Sequence, residues 1–173
     1  MKNYFILSVV LFSTILFNSC KEDKKIEDKP KLNNYSIELD LTIKKTDSLQ
    51  LFYTDSINKD FSEERSLWMA VNGDTVPQLV KFEIPAGITP NNIRLDFTNK
   101  LQEIVVFNNL KIGFKDKIFT ENDSIIGKCF SINSGVIPVD SLKTIDFNKK
   151  LEIYDPFIYS TETLSTKMVE LSK

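Results

Sequence analysis

The chain contains no histidine, and this absence removes the side chain that most often acts as an acid–base catalyst or as a metal ligand. Arginine is scarce too, because Arg65 and Arg94 are the only arginines among 22 basic residues, which stand against 24 acidic ones. This charge balance and the shortage of bidentate phosphate binders argue against nucleic acid as a partner. No nucleophile elbow, phosphate loop or zinc signature is present, so we expect neither catalysis nor a cofactor.

The chain also lacks an Asp-rich loop of the kind that binds calcium. A calcium ion needs six or more oxygen ligands in close order. Asp55 with Asp60 and Asp116 with Glu121 are the pairs that come nearest to such a site. We therefore expect no bound metal.

A cationic start and a short apolar run occupy the N-terminus. Lys2 precedes an apolar stretch from Phe5 to Phe17, and the small residue Ser19 stands directly before Cys20. This layout is typical of a secretory signal, and the apolar stretch is too short to span a membrane. We predict a signal peptide over residues 1–19.

Cys20 resembles the lipid-attachment site of bacterial lipoproteins. The resemblance implies that the signal is cut before Cys20, that the thiol carries a diacylglycerol and that the new N-terminus is acylated. The membrane is then a partner through lipid. Lys21-Glu22-Asp23 resembles the export signal of Bacteroidetes lipoproteins, which implies a lipid-anchored protein of the outer membrane facing the cell exterior. The alternative is an ordinary signal peptide with an unmodified cysteine.

Composition divides the rest of the chain into a tether and one domain. Residues 20–34 are almost wholly polar, with charges of both signs, and predict a flexible spacer. Residues 35–173 are enough for one domain with one core. If lipid occupies Cys20, Cys129 has no partner for a disulfide, and its apolar surroundings in the sequence predict a buried thiol.

Alternation of apolar and polar residues dominates this domain and predicts short strands. The clearest runs are 35–43, 49–53, 66–71, 76–84, 93–97, 103–107 and 110–114, and shorter apolar pieces occur at 118–119, 125–126, 130–132, 136–137 and 145–147. Asn72-Gly73-Asp74 lies between two runs and predicts a hairpin.

The end of the chain predicts a helix, because Ser160 or Thr161 can cap it and an apolar stripe follows at Leu164, Met168 and Leu171. Many short strands and one terminal helix predict an all-β fold, an antiparallel, jelly-roll-like β-sandwich with a short C-terminal α-helix over residues 35–173.

Four segments resemble, in order, the galactose-binding-like sandwiches that often act as carbohydrate-binding modules. They comprise an apolar strand, a strand ending in proline, an arginine-bearing strand and a strand with paired asparagines: 49–53, 80–85, 93–97 and 105–112. The resemblance covers less than half of the chain. It implies a jelly-roll sandwich that binds glycans without catalysing a reaction.

A glycan site needs flat aromatic rings that stack on sugar faces, beside polar groups that orient sugar hydroxyls. Trp68, Tyr53 and Tyr35 are the candidate stacking residues. Arg94 and Asp96 lie two apart on one predicted strand, so they share a side where Arg94 could donate to a sugar hydroxyl and Asp96 could accept from one. The alternatives are a core position for Trp68 and, for Arg94 and Asp96, a solvated outer face with a cross-strand ion pair.

Five triplets read Asp-(Ser/Thr)-aliphatic. They resemble the O-glycosylation signal of exported Bacteroidetes proteins, which implies acceptor hydroxyls at Ser48, Ser56, Thr75, Ser124 and Ser141. The alternative is turn chemistry, because Asp-Ser makes turns and an aliphatic residue begins the next strand.

Taken together, these patterns predict a non-catalytic cell-envelope lipoprotein whose sandwich binds an extracellular ligand, with a glycan favoured. The alternative is a structural or adaptor lipoprotein that packs against another envelope protein. A glycan site predicts an exposed Trp68 or Tyr53 beside polar groups. An adaptor predicts an apolar patch or an unpaired strand edge, with every large aromatic side chain buried.

Overall fold

The computed structural model describes residues 33–140 and 142–173. The predicted signal peptide, the predicted lipidation site Cys20, most of the predicted tether and the predicted acceptor Ser141 lie outside these residues. The described elements are β1 Tyr35–Ile43, β2 Asp47–Thr54, β3 Ser66–Val71, β4 Gln78–Glu83, β5 Asn92–Asp96, β6 Val105–Phe114, β7 Lys117–Glu121, β8 Phe130–Ile132, β9 Val136–Asp140, β10 Thr144–Phe147, β11 Phe157–Ser160 and α1 Glu162–Leu171.

These elements form an antiparallel β-sandwich with one short C-terminal helix, as the sequence predicts. The first sheet has the strand order β4-β1-β6-β10-β9, and β7 also pairs with β6. The second sheet has the order β3-β2-β5-β11-β8. Neighbouring strands of both sheets run antiparallel.

The alternation of apolar and polar residues along the strands places the apolar side chains in the core. In β1 every second residue from Tyr35 to Ile43 is buried, and the residues between them are half-buried. Buried apolar side chains from both sheets and from α1 join one cluster, which includes Leu51, Ile93 and Phe107. The facing apolar sides of the two sheets therefore supply the hydrophobic stabilisation of the fold.

The N-cap of α1 is Thr161, which is one of the two capping residues that the sequence predicts. Its Oγ1 accepts a hydrogen bond from the backbone N–H of Leu164 at 3.4 Å. Leu164, Met168 and Leu171 are buried, and the hydroxyl of Tyr35 donates to the carbonyl oxygen of Met168 at 2.7 Å. Within residues 33–140 and 142–173, no helix is long and apolar enough to cross a membrane.

The segment Asn72–Asp74 does not form the predicted hairpin. β3 pairs with β2 in the second sheet and β4 pairs with β1 in the first, so this segment crosses between sheets. A Cβ atom at Gly73 would lie 2.5 Å from the carbonyl oxygen of Lys44. The next residue, Asp74, donates its backbone N–H to the carbonyl oxygen of Ile43 at 2.8 Å. The glycine permits close approach of two backbones, rather than a two-residue turn.

The two runs predicted at 103–107 and 110–114 are one continuous strand, β6. Opposite β1, Asp40 pairs with Asn109 while Leu41 pairs with Phe107, so Asn108 is the extra residue of a β-bulge. The bulge explains why the alternation in the sequence breaks there although the strand does not.

Candidate functional site

The candidate site lies on the side of the second sheet that faces away from the core. Cross-strand pairing places Trp68 beside Gln50, Gln50 beside Asp96, and Asp96 beside Phe157. In the next row Phe52 lies beside Arg94, and Arg94 beside Tyr159. We call this surface the outer face; its residues are Gln50, Phe52, Trp68, Arg94, Asp96, Phe157 and Tyr159.

Two aromatic side chains of the outer face are open to solvent. Trp68 is 55% exposed and Tyr159 is 41% exposed. They lie on β3 and β11, which are three strand spacings apart, about 14 Å. Because Trp68 is exposed, it does not occupy the core position that the sequence allowed as an alternative to ligand binding. The surface between the two rings is wide enough for an extended ligand.

Arg94 and Asp96 form a bidentate ion pair between these rings. Nε of Arg94 donates to Oδ1 of Asp96 at 2.7 Å, and Nη2 donates to Oδ2 at 2.6 Å. The side chains are 23% and 13% exposed. The pair therefore runs along one strand and is largely shielded from water, unlike the solvated cross-strand pair that was the alternative interpretation.

Three phenylalanine rings surround the guanidinium group of Arg94. Its Cζ lies 4.6 Å from the ring centroid of Phe52 and 4.5 Å from that of Phe157. A third ring, Phe61, is 5.7 Å away. Such contacts stabilise a cation on aromatic faces, so the position of Arg94 is fixed by rings as well as by Asp96.

Burial raises the pKa of Asp96 and is the largest single effect on it, while the hydrogen bonds and charge of Arg94 act in the opposite direction. The negative charges of Asp155 and Glu63 raise the pKa of Asp96 further. On the other side of the pair, hydrogen bonding to Asp96 raises the pKa of Arg94. The surroundings of Asp96 are therefore poor in water, and the charges of Asp155 and Glu63 act against that of Arg94.

A cleft of about 380 Å³ opens over this pair. It falls within the range of small-ligand pockets. The cleft is lined by Gln50, Phe52, Glu63, Arg94, Asp96, Phe97, Thr98, Lys100, Tyr154, Asp155 and Pro156.

Gln50 forms part of the cleft lining and presents an acceptor. Its Nε2 donates to Oε2 of Glu63 at 2.7 Å and to Oγ of Ser66 at 3.0 Å. Both amide hydrogens are thereby used, while Oε1 accepts no hydrogen bond from the residues that the structure describes. The amide is fixed with its oxygen free to accept from a ligand.

The segment that carries Phe61 and Glu63 is held by an ion pair. Nη2 of Arg65 donates to Oδ2 of Asp55 at 2.6 Å, and the guanidinium of Arg65 lies 5.0 Å from the ring centroid of Tyr53. Backbone hydrogen bonds, with that of Asn58 the strongest, and the hydrogen bond and charge of Arg65 together lower the pKa of Asp55 to about 2. This pair fixes one side of the cleft.

The structure brings together three of the four predicted ligand-binding residues. Trp68, Arg94 and Asp96 share the outer face, whereas Tyr53 points to the core and is 4% exposed. Tyr35, the other stacking candidate, is fully buried. Neither tyrosine can stack on a ligand without displacing core contacts.

Several residues of the surface escape a sequence-based prediction. Gln50 and Phe52 could be placed on this surface only after the structure showed that β2 buries Leu51 in the core, because alternate residues of a strand point to opposite sides. Phe61 and Phe157 carry no local signal, because the loop that holds Phe61 and the strand pairing that places Phe157 are long-range features.

The described hydroxyls of the five triplets differ in accessibility. Ser48, Ser56 and Thr75 are exposed, and Ser124 is half-buried. The carboxylate before the hydroxyl residue often makes a turn: Oδ1 of Asp55 accepts from the backbone N–H of Ile57 at 2.8 Å. Asp47, Asp74 and Asp140 also accept backbone N–H bonds from the residues that follow them. Turn chemistry therefore accounts for these aspartates, and the hydroxyls stay predicted acceptor sites.

Cys129 is buried, as predicted, and burial raises the pKa of its thiol to about 11. The thiol is therefore protonated at neutral pH and is not a poised nucleophile. Among residues 33–140 and 142–173, no group of three or more acidic or cysteine side chains is placed to hold a metal ion.

Comparison with protein-family models finds no match to this chain, and comparison with curated proteins finds none either. The chemistry of the outer face is therefore the basis on which a function is proposed.

Proposed function

We propose that the protein is a non-catalytic lipoprotein of the cell envelope and that the outer face of its second sheet binds a glycan. The observation that carries the proposal is the exposed Trp68, 55% accessible, beside Gln50 and the polar cleft. A sugar offers one apolar face to an aromatic ring and directs hydroxyls to polar neighbours. The outer face supplies both kinds of contact.

The polar groups have distinct roles in this proposal. Nη1 of Arg94 makes no hydrogen bond within the described residues and can donate to a sugar oxygen, while Nε and Nη2 remain on Asp96. Oε1 of Gln50 can accept from a sugar hydroxyl. Tyr159, on the far side of the face, provides a second ring for a longer chain. Hydrogen bonds already fix the Arg94–Asp96 ion pair and the side-chain amide of Gln50. Ligand binding therefore costs little conformational entropy in these side chains.

The test is binding of the purified domain to a glycan array, repeated with Trp68→Ala. The change should reduce binding by roughly 30-fold, the effect of losing a central tryptophan contact of about 2 kcal/mol. Leu79→Ala is the matched control, because Leu79 is 66% exposed on the first sheet. Binding to no glycan, or binding that Trp68→Ala leaves unchanged, contradicts the proposal.

The envelope location rests on the sequence before residue 33. We propose that Cys20 carries lipid and anchors the protein to the outer membrane, facing the exterior. Mass spectrometry of the N-terminal peptide should find Cys20 acylated, and protease added to intact cells should remove the domain. An unmodified Cys20 contradicts the anchor. Resistance to protease in cells, with lipid present, contradicts only the outward orientation.

One observation favours the alternative function, an adaptor that packs against another envelope protein. Strand β9 is an edge of the first sheet within the described residues, and Ile137 and Val139 on it are 44% and 54% exposed. An edge of this kind can pair with a strand of another protein. A photo-crosslinker at position 139 that captures one envelope protein in cells, with no glycan bound in vitro, would favour the adaptor over the glycan module.

A further inference from the structure

The charges around the cleft are unevenly distributed. Five charged residues line it, three carboxylates and two cations: Glu63, Asp96, Asp155, Arg94 and Lys100. Asp96 neutralises Arg94 through both of its carboxylate oxygens. The charges that a ligand in the cleft would meet are therefore the two carboxylates of Glu63 and Asp155 and the one ammonium group of Lys100.

The remaining hydrogen-bond groups are mostly acceptors. Thr98 donates its hydroxyl hydrogen to Oδ1 of Asp47 at 2.7 Å, and Tyr154 donates its own to the carbonyl oxygen of Asn99 at 3.1 Å. With the Gln50 amide hydrogens also in use, the free side-chain donors among the described residues of the cleft lining include Nη1 of Arg94 and Nζ of Lys100.

Acceptors outnumber these donors in the cleft. They are the two remaining carboxylates, Oε1 of Gln50 and the hydroxyl oxygens of Thr98 and Tyr154. A ligand rich in hydroxyl groups satisfies such a surface because each hydroxyl can donate. A carboxylate or sulfate group can only accept, so it can use the donors of Arg94 and Lys100 but gains no hydrogen bond from these oxygen atoms.

We infer that this cleft selects uncharged, hydroxyl-rich glycans and rejects glycans that carry carboxylate or sulfate groups, with Glu63 and Asp155 as the residues that set this selectivity. The inference rests on the proposed glycan function and adds the class of ligand. Burial is the main cause of the raised pKa of Asp96 and Arg94 opposes it, while the charges of Asp155 and Glu63 add to the rise and so act at the position of Asp96.

The expected size of the selection follows from Coulomb's law. A ligand anion about 7 Å from one carboxylate loses roughly threefold in affinity in water. The ammonium of Lys100 offsets one of the two carboxylates, so the net loss in the cleft is about threefold. Salt screens the effect, since the Debye length is roughly 30 Å at 0.01 M ionic strength and about 8 Å at 0.15 M. The selection should therefore be strongest at low ionic strength.

The experiment compares binding to immobilised mannan, galactan and dextran with binding to the sulfated derivative of each, at about 0.01 M ionic strength. The wild-type domain should bind at least one neutral polysaccharide about threefold more tightly than its sulfated form. The double variant Glu63→Gln with Asp155→Asn leaves the charge of Lys100 uncompensated and should lower that ratio to one or below. Gln at position 63 keeps a side-chain oxygen to accept from Gln50.

A matched control removes two carboxylates elsewhere. Asp116→Asn with Asp123→Asn changes the net charge equally, and both residues are exposed outside the cleft. This control should keep the wild-type ratio. A sulfated form that binds as tightly as the neutral one, or a ratio that the Glu63/Asp155 variant leaves unchanged, overturns the inference while Trp68-dependent glycan binding can still stand. Absence of binding to every polysaccharide overturns the proposed function and this inference together.

Discussion

Arg94 holds Asp96, two residues along the same strand, through two hydrogen bonds of 2.7 and 2.6 Å. The ring centroids of Phe52 and Phe157 lie 4.6 and 4.5 Å from the guanidinium carbon. A charge pair on the outside of a sheet is therefore enclosed almost as it would be in a core. This arrangement gives the outer face a rigid polar centre between two exposed aromatic rings.

Replacing Arg94 should cost far more stability than an ordinary surface change. Arg94→Ala leaves the largely buried Asp96 without a partner and should lower the free energy of unfolding by about 2 kcal/mol, below the full cost of breaking a buried pair because both side chains keep some exposure. Arg94→Lys, which lacks the planar fork, should cost about 1 kcal/mol. Urea denaturation measures both values.

The control for this prediction is another pair along one strand. Lys81 contacts Glu83 at 2.8 Å on the first sheet, where the side chains are 45% and 58% exposed. Lys81→Ala should change stability by less than about 0.5 kcal/mol, as for exposed ion pairs. Equal costs for Arg94→Ala and Lys81→Ala would show that the rings do not shield the Arg94–Asp96 pair.

Gly73→Ala should destabilise the protein by about 2 kcal/mol, because the new Cβ would meet the Lys44 carbonyl oxygen at 2.5 Å and backbone must shift. Thermal unfolding should show a lower Tm. Asn72→Ala, at an exposed neighbouring position, should stay within about 0.5 kcal/mol of wild type. A Gly73→Ala protein as stable as Asn72→Ala would mean that the two backbones are not in close contact.

Local patterns predicted much of the fold. β1 alternates over nine residues with one face in the core, and the stripe of α1 matches its buried side. Such patterns do not show which sheet a strand joins. A glycine between two strands, as in Asn72–Asp74, suits a hairpin within one sheet and a connection between two sheets equally well. The bulge at Asn108 also depends on a distant strand, β1.

The candidate site was predicted in part, for a similar reason. Arg94 and Asp96 share a side because strand geometry fixes positions two apart. The side of Trp68 could not be read from its neighbours Leu67 and Met69, which are apolar, and was decided by its pairing with Gln50. Tyr53 follows the alternation of β2 into the core, where Arg65 covers its ring.

Acid should weaken the segment that bounds the cleft. Hydrogen bonds from Asn58 and Ile57 and the charge of Arg65 lower the pKa of Asp55 from 3.8 to about 2. A carboxylate whose pKa is lower in the folded state contributes stability that is present above its unfolded pKa and is lost as the pH falls through the folded value. This contribution should therefore disappear between about pH 4 and pH 2.

Asp55→Asn tests this dependence. Its Tm should lie below that of wild type at pH 7, and the two should converge as the pH approaches 2. Asp116→Asn, which removes an exposed carboxylate that is in no ion pair within the described residues, should follow the wild-type profile. A constant gap between wild type and Asp55→Asn from pH 7 to pH 2 would argue against the ion pair.

The most direct test of the glycan-binding surface uses the one tryptophan of the chain as its own reporter. Trp68 is 55% exposed, so a sugar that stacks on its ring should shift the emission to shorter wavelength and saturate with ligand concentration. We predict such a saturable shift with a glycan that binds on the array, lost on adding an excess of free competitor. A bound glycan that leaves the emission of Trp68 unchanged would contradict the account.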